Sequence, residues 1–157
     1  MAATPAPVDP RQPPTEFDDV VEWFDGVSRA LVLLEAYPLE DLRQVVAVIR
    51  RTVLEHCRTD GGSIPEAASH SPELDRRRRL LVADHRWFRL SLEQLDWFLG
   101  VVAGEDHGGH RQALGQYGRV FAESLRRHRT VERAAPSREE GVPDDGPAVA
   151  PAPGNHN

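Results

Sequence analysis

The chain has 157 residues, the length of one domain with tails, and a net charge of −6 that argues against nucleic acid as its main partner. Of its residues, 39% are hydrophobic and 28% are charged, and no apolar run approaches the roughly 20 residues of a membrane span. Cys57 is the only cysteine, which excludes an internal disulfide and a thiolate-based metal cluster. The N-terminus has neither the basic start nor the apolar core of a secretory signal, so we expect a cytoplasmic protein without a membrane segment.

The two ends of the chain differ in composition from its middle. Residues 1–14 are rich in proline and alanine, and residues 134–157 are rich in proline, glycine and acidic side chains. Such segments bury too little apolar surface to offset the entropy lost on ordering. We therefore predict disordered tails at 1–14 and 134–157, and one folded domain at 15–133.

The first two helical patterns are separated by a short link that contains proline. Residues 17–36 place apolar side chains at alternating steps of four and three, the spacing of one helix face, and Pro38 stops the pattern. Residues 39–58 repeat that spacing, and the sequence DGG at 60–62 is a strong stop. So short a link predicts that the two helices are antiparallel neighbours.

Two more helical patterns follow an irregular stretch. The third begins near Pro72, with Ser71 as the expected N-cap, and the sequence AGEDHGG at 103–109 ends it. The fourth covers residues 110–133. No segment shows the sustained period-two alternation of a β-strand. We therefore predict an all-α fold, an up-down-up-down antiparallel four-helix bundle with disordered termini.

Three histidines continue the apolar stripes of their helices and share one pole of the predicted bundle. His56 lies near the end of the second helix, His85 early in the third and His128 near the end of the fourth. Asp60 follows His56 by four residues, and Glu132 follows His128 by four, so each pair can present an imidazole and a carboxylate to one ion. Iron, manganese and zinc accept such ligands. A histidine on an apolar stripe is also common as a core residue bonded to a backbone carbonyl.

The order of the segments HCRTD, ADHRWF and LRRHRTVE resembles the hemerythrin-like domain, also called the HHE cation-binding domain. Members of that family are four-helix bundles with a non-haem di-iron centre. The resemblance covers about residues 17–133. It implies an iron site, di-iron or mononuclear, with His56, Asp60, His85, His128 and Glu132 as ligands. It also implies a role in oxygen or redox sensing, or in iron handling, with dioxygen or a small redox ligand as the partner.

One family ligand has no counterpart in this sequence. The family places a histidine on its first helix, whereas this chain has no histidine before His56 and offers Val20, Trp23 and Phe24 there. Three interpretations follow: an altered or mononuclear metal site, a site completed by Glu66 and His70 from the loop after the second helix, or a bundle that has lost its metal. The last would serve as a protein-interaction module.

The remaining features favour a binding protein over an enzyme. No nucleophile is paired with a base, and no glycine-rich phosphate loop follows a strand. Trp87, Trp97 and Phe98 lie beside the main apolar stripe of the third helix and widen it, either as additional core or as a surface for a protein partner.

Overall fold

The computed structural model describes residues 8–33, 36–59, 71–105 and 108–134. Within these ranges the chain forms four helices and no strand: α1 (Phe17–Val32), α2 (Leu39–Thr59), α3 (Pro72–Gly104) and α4 (Gly108–Arg133). The predicted all-α, four-helix fold is confirmed. None of the helices in the described part of the chain combines the length and apolar character needed to cross a membrane.

The end of α1 and the N-cap of α3 differ from the prediction, and α4 begins at Gly108 rather than at residue 110. Helix α1 ends at Val32 rather than at residue 36, and Leu33, which follows it, is 74% exposed. Ser71 has the extended backbone of an N-cap, but its side chain makes no capping hydrogen bond, and Pro72 occupies the first turn as predicted. The loop at 60–70 lies outside the described residues.

The helices form a closed ring in which each packs against its sequence neighbours and α1 packs against α4. The contacts of α1 bring its start beside the ends of α2 and α4. Phe17 at the start of α1 lies on His56 near the end of α2, and Asp18 pairs with Arg133 at the end of α4. These contacts make neighbouring helices antiparallel, and they place the ends of α2 and α4 at one pole with the start of α1.

The core is continuous along the bundle axis. Phe121 of α4 lies at its centre, edge-on to Phe24 of α1 at 6.3 Å between ring centroids and to Phe88 of α3 at 5.9 Å. The other large, fully buried apolar side chains are Leu42, Ile49, Leu92, Leu95 and Leu125. Each comes from the apolar stripe of its helix, so burial of these stripes holds the four helices together.

Helices α1 and α4 approach each other most closely where α4 carries glycine. A Cβ atom added at Gly115 would lie 2.5 Å from the carbonyl oxygen of Ser28 and 2.7 Å from Cβ of Leu31. Real Cβ atoms do not approach other atoms this closely. The absence of a side chain at Gly115 therefore allows the two helix backbones to pack directly on each other.

Residues 8–16 form an N-terminal strap that lies across α1 and the α1–α2 link. The indole Nε1–H of Trp23 donates to the carbonyl oxygen of Asp9 at 3.0 Å, and the hydroxyl of Tyr37 donates to that of Val8 at 3.2 Å. These two hydrogen bonds use backbone acceptors, which any sequence provides, so composition alone does not reveal them.

An ion pair also fixes the strap to α2. Arg11 Nε is 3.0 Å and 3.2 Å from the two carboxylate oxygens of Asp41, and Pro10 is buried. Residues 8–14 fall in the tail that composition predicts as disordered, yet they are held to the bundle by these contacts. The difference arises because average composition does not weigh single anchoring residues.

Candidate metal centre

Four side chains from three helices converge at the pole shared by the ends of α2 and α4. His56 comes from α2, His85 from α3, and His128 and Glu132 from α4. One ligand atom of each lies within 4.8 Å of the ligand atoms of the other three. The i,i+4 spacing of His128 and Glu132 puts both side chains on the inner face of α4. The predicted convergence of the three histidines is thus found in the structure.

The distances within the group are close to those of a metal site. Glu132 Oε1 lies 3.0 Å from His128 Nε2 and 3.1 Å from His56 Nε2. His85 Nε2 lies 3.1 Å from His128 Nε2. Ligands about 2.1 Å from a tetrahedral ion lie about 3.4 Å apart, so a small outward shift of these side chains would make room for an ion.

Burial makes the group unusual for four polar side chains. His128 is fully buried and His56 is 6% exposed, whereas His85 and Glu132 are half-buried. Phe88 packs edge-on to His128, with ring centroids 5.0 Å apart. A charged or strongly polar group in such surroundings needs a partner, and each member of the group has one in another.

Asp84 of α3 fixes the orientation of the central histidine. Its Oδ2 lies 3.1 Å from His128 Nδ1. If Nδ1 carries a proton donated to Asp84, Nε2 is left to face Glu132 and His85, which is the arrangement by which proteins aim a histidine at a metal. Asp84 is not among the ligands predicted from the sequence. Its signal is the spacing of Leu81, Asp84 and Phe88, which places the carboxylate on the inward line of α3.

Arg129 takes the other oxygen of Glu132. Arg129 Nη1 lies 2.8 Å from Glu132 Oε2, and Arg129 Nε lies 3.3 Å from Asp18 Oδ1 on α1. Its guanidinium also stacks on Phe17, 5.3 Å from the ring centroid. One carboxylate oxygen of Glu132 therefore faces the histidines, and the other bonds to the guanidinium of Arg129. Arg129 is absent from the ligands predicted from the sequence. Its i,i+3 spacing from Glu132 is the signal that could have found it, whereas its second partner, Asp18, is 111 residues away.

The charges in the group follow from these contacts. Burial opposes ionisation of Glu132, but hydrogen bonds from His128, His56 and Arg129 outweigh burial and hold the pKa of its carboxyl below the usual range. Burial also opposes a charge on His128, yet the hydrogen bonds to Glu132 and Asp84 raise its pKa. These contacts favour the protonated form of His128, whose Nε2 faces both Glu132 and His85.

His85 has the opposite shift. Burial, followed by repulsion from His128 and His56, lowers its pKa. This shift favours the neutral form of His85, whose Nε2 lies 3.1 Å from His128 Nε2. A cation bound among these atoms would compete with protonation of the histidines, and the three imidazoles would then act as neutral donors.

Helix α1 contributes an aromatic ring beside the group. The ring of Phe17 lies 4.5 Å from that of His56, centroid to centroid. Trp23 and Phe24, which the sequence offers in this region, instead bond to the strap and pack on Phe121. Phe17 shields His56 on this side of the group.

The structure brings together four of the five predicted ligands: His56, His85, His128 and Glu132. The fifth, Asp60, and the two loop residues Glu66 and His70 lie outside the described residues. No family model, curated protein or solved structure matches this chain. The resemblance to hemerythrin-like domains therefore stays a prediction.

Proposed function

We propose that this protein binds one divalent transition-metal ion through His56, His85, His128 and Glu132. The observation that supports the proposal is the convergence of four ligand atoms within 4.8 Å of one another. Three imidazoles and a carboxylate are a donor set for iron, manganese or zinc. Asp84 also contacts His128 Nδ1, and a hydrogen bond to the second ring nitrogen of a ligating histidine is typical of metal sites.

A single ion fits the charges better than a pair. In di-metal carboxylate sites, a glutamate uses both oxygens to bridge the ions. Here Glu132 Oε2 already holds the guanidinium of Arg129 at 2.8 Å. A second cation beside Arg129 would meet direct electrostatic repulsion. We therefore propose a mononuclear site rather than the di-iron centre of hemerythrins.

We propose iron as the resident metal and oxygen or redox sensing as the role, following the family resemblance. Iron would supply one-electron chemistry and an open position for dioxygen or a small redox ligand. Phe17 and Phe88 pack on His56 and His128 and so limit solvent access to these two imidazoles. Restricted solvent access favours reversible binding over uncontrolled oxidation.

Metal analysis of the full chain tests the proposal. Protein purified without chelator, and protein loaded anaerobically with Fe²⁺ and desalted, should retain about one iron per chain. Elemental analysis and the near-ultraviolet spectrum provide the readout. Less than a few hundredths of an ion per chain after loading with iron, manganese and zinc in turn would disprove the metal site.

We expect Asp84→Asn to weaken ion binding without abolishing it. Asparagine retains the shape of the side chain but loses the charge that holds the Nδ1 proton of His128, and such outer-sphere changes typically cost about 10- to 100-fold in affinity. Competition with a chromophoric chelator for Zn²⁺ measures the change. Asp75→Asn, on an exposed part of the same helix, is the matched control and should leave the affinity unaltered. Equal affinities for the two variants would contradict the role of Asp84.

The second candidate function is a metal-free protein-interaction module. The observation in its favour is an exposed apolar surface on α3 and α4, where Leu90 is 58% exposed, Trp97 59% and Val120 59%. Scattered exposed apolar residues are common, but tryptophan is enriched at protein interfaces. Thermal unfolding separates the two functions, because saturating metal raises the melting temperature only if the folded chain binds it.

A further inference from the structure

A cleft of about 450 Å³ opens beside the metal centre, on the outer side of His56. Pro14 and Thr15 of the N-terminal strap form one wall and Phe17 of α1 forms the floor, while the last turns of α2 form the other wall. The volume falls in the range of small-molecule sites. Two stretches of the chain build the cleft: residues 14–17 and residues 51–59.

Among the residues that the structure describes, the cleft has one positive charge without an acidic partner. Arg51 of α2 lines it and makes no ion pair with any residue that the structure describes. The other charged residue of the wall, Glu55, is bonded to Arg58, which offsets its negative charge. The cleft is therefore an attractive environment for an anion.

The lining of this cleft combines polar and apolar groups. The hydroxyls of Thr15 and Thr52 line it and make no hydrogen bond within the described ranges, so both are free to donate. The half-buried ring of Phe17 lines the cleft with an apolar group, held in place between His56 and the guanidinium of Arg129. A ligand with a charged end and a small apolar body satisfies both features.

We infer that this cleft binds a small organic carboxylate. The carboxylate pairs with Arg51 and accepts hydrogen bonds from Thr15 and Thr52, and the apolar body packs on Phe17. A guanidinium and a carboxylate match in shape as well as in charge. The inference concerns the outer face of His56 and does not require an ion, so it is independent of the proposed metal site.

Calorimetric titration of the metal-free full chain with benzoate tests the inference. Benzoate should bind at one site with a dissociation constant on the order of 1 mM or tighter, as a ligand of this size allows. Benzamide, which has the same ring without the charge, should bind roughly tenfold more weakly. Arg51→Gln should weaken the binding of benzoate by a similar factor, so that the variant binds benzoate about as weakly as wild type binds benzamide.

Arg43→Gln is the matched control. Arg43 is an exposed arginine of the same helix, paired with Glu40 and remote from the cleft lining, and its loss should leave benzoate binding intact. Absence of saturable benzoate binding, or equal binding to wild type and Arg51→Gln, would overturn the inference. Because the titration uses metal-free protein, either result is separable from a failure to bind metal.

Discussion

Replacing His128 with alanine should reduce metal affinity by roughly a hundredfold or more, because it removes the donor that contacts both Glu132 and His85. The same change should lower the free energy of unfolding of the metal-free protein by about 2–4 kcal/mol. His128 is fully buried, so its loss leaves a cavity and also strips the half-buried Asp84 of its partner. Elemental analysis and chemical denaturation measure the two effects separately.

His85→Ala distinguishes loss of a ligand from loss of the fold. His85 is half-buried, hydrogen-bonds to His128 Nε2 and packs edge-on to His56, so its removal should abolish tight ion binding at little cost in stability. His110→Ala is the control for both variants, because His110 lies at the opposite end of α4 and contacts the carbonyl oxygen of Glu105. Retention of a full ion by His85→Ala and His128→Ala would exclude this site as the metal centre.

Helical periodicity predicts the fold well because each helix buries one face. The alternating steps of three and four identify all four helices, and proline and glycine identify where they are interrupted. The exception is the end of α1. The apolar residue Leu33 falls within the predicted helix, but in the structure it follows the helix and is exposed to solvent. Periodicity registers an apolar residue without showing whether a neighbouring helix extends far enough to cover it.

The candidate site divides into a part that the sequence predicts and a part that it does not. His128 and Glu132 belong to one helix face, and the antiparallel topology brings His56 and His85 to them, so local patterns suffice. Asp84 bonds to His128 of another helix, whereas Arg129 bonds to Glu132 within α4 as well as to Asp18 of α1. Spacing within one helix shows that Asp84 faces inward and that Arg129 neighbours Glu132. It does not show which side chain of another helix each one meets, because packing sets the angular register between helices.

The second large effect concerns the contact between α1 and α4 rather than the site. We expect Gly115→Ala to lower the free energy of unfolding by about 2 kcal/mol or more, with a fall in melting temperature of roughly 5–10 °C. The new Cβ would lie 2.5 Å from the carbonyl oxygen of Ser28 and 3.0 Å from the backbone nitrogen of Val32. Backbone atoms cannot rotate away as a side chain can, so the two helices have to separate.

Gly100→Ala is the matched control for this prediction. Gly100 is an exposed residue within α3, and a Cβ added there meets nothing within 4 Å. Alanine favours the helix by about 0.5–1 kcal/mol over glycine, so this variant should be slightly more stable than wild type. If alanine lowers the free energy of unfolding at position 115 and raises it at position 100, packing on α1 outweighs helix propensity at Gly115. A stabilising Gly115→Ala would instead mean that α1 and α4 are farther apart than the structure places them, and His128 and Glu132 would then be farther from Phe17 and Asp18.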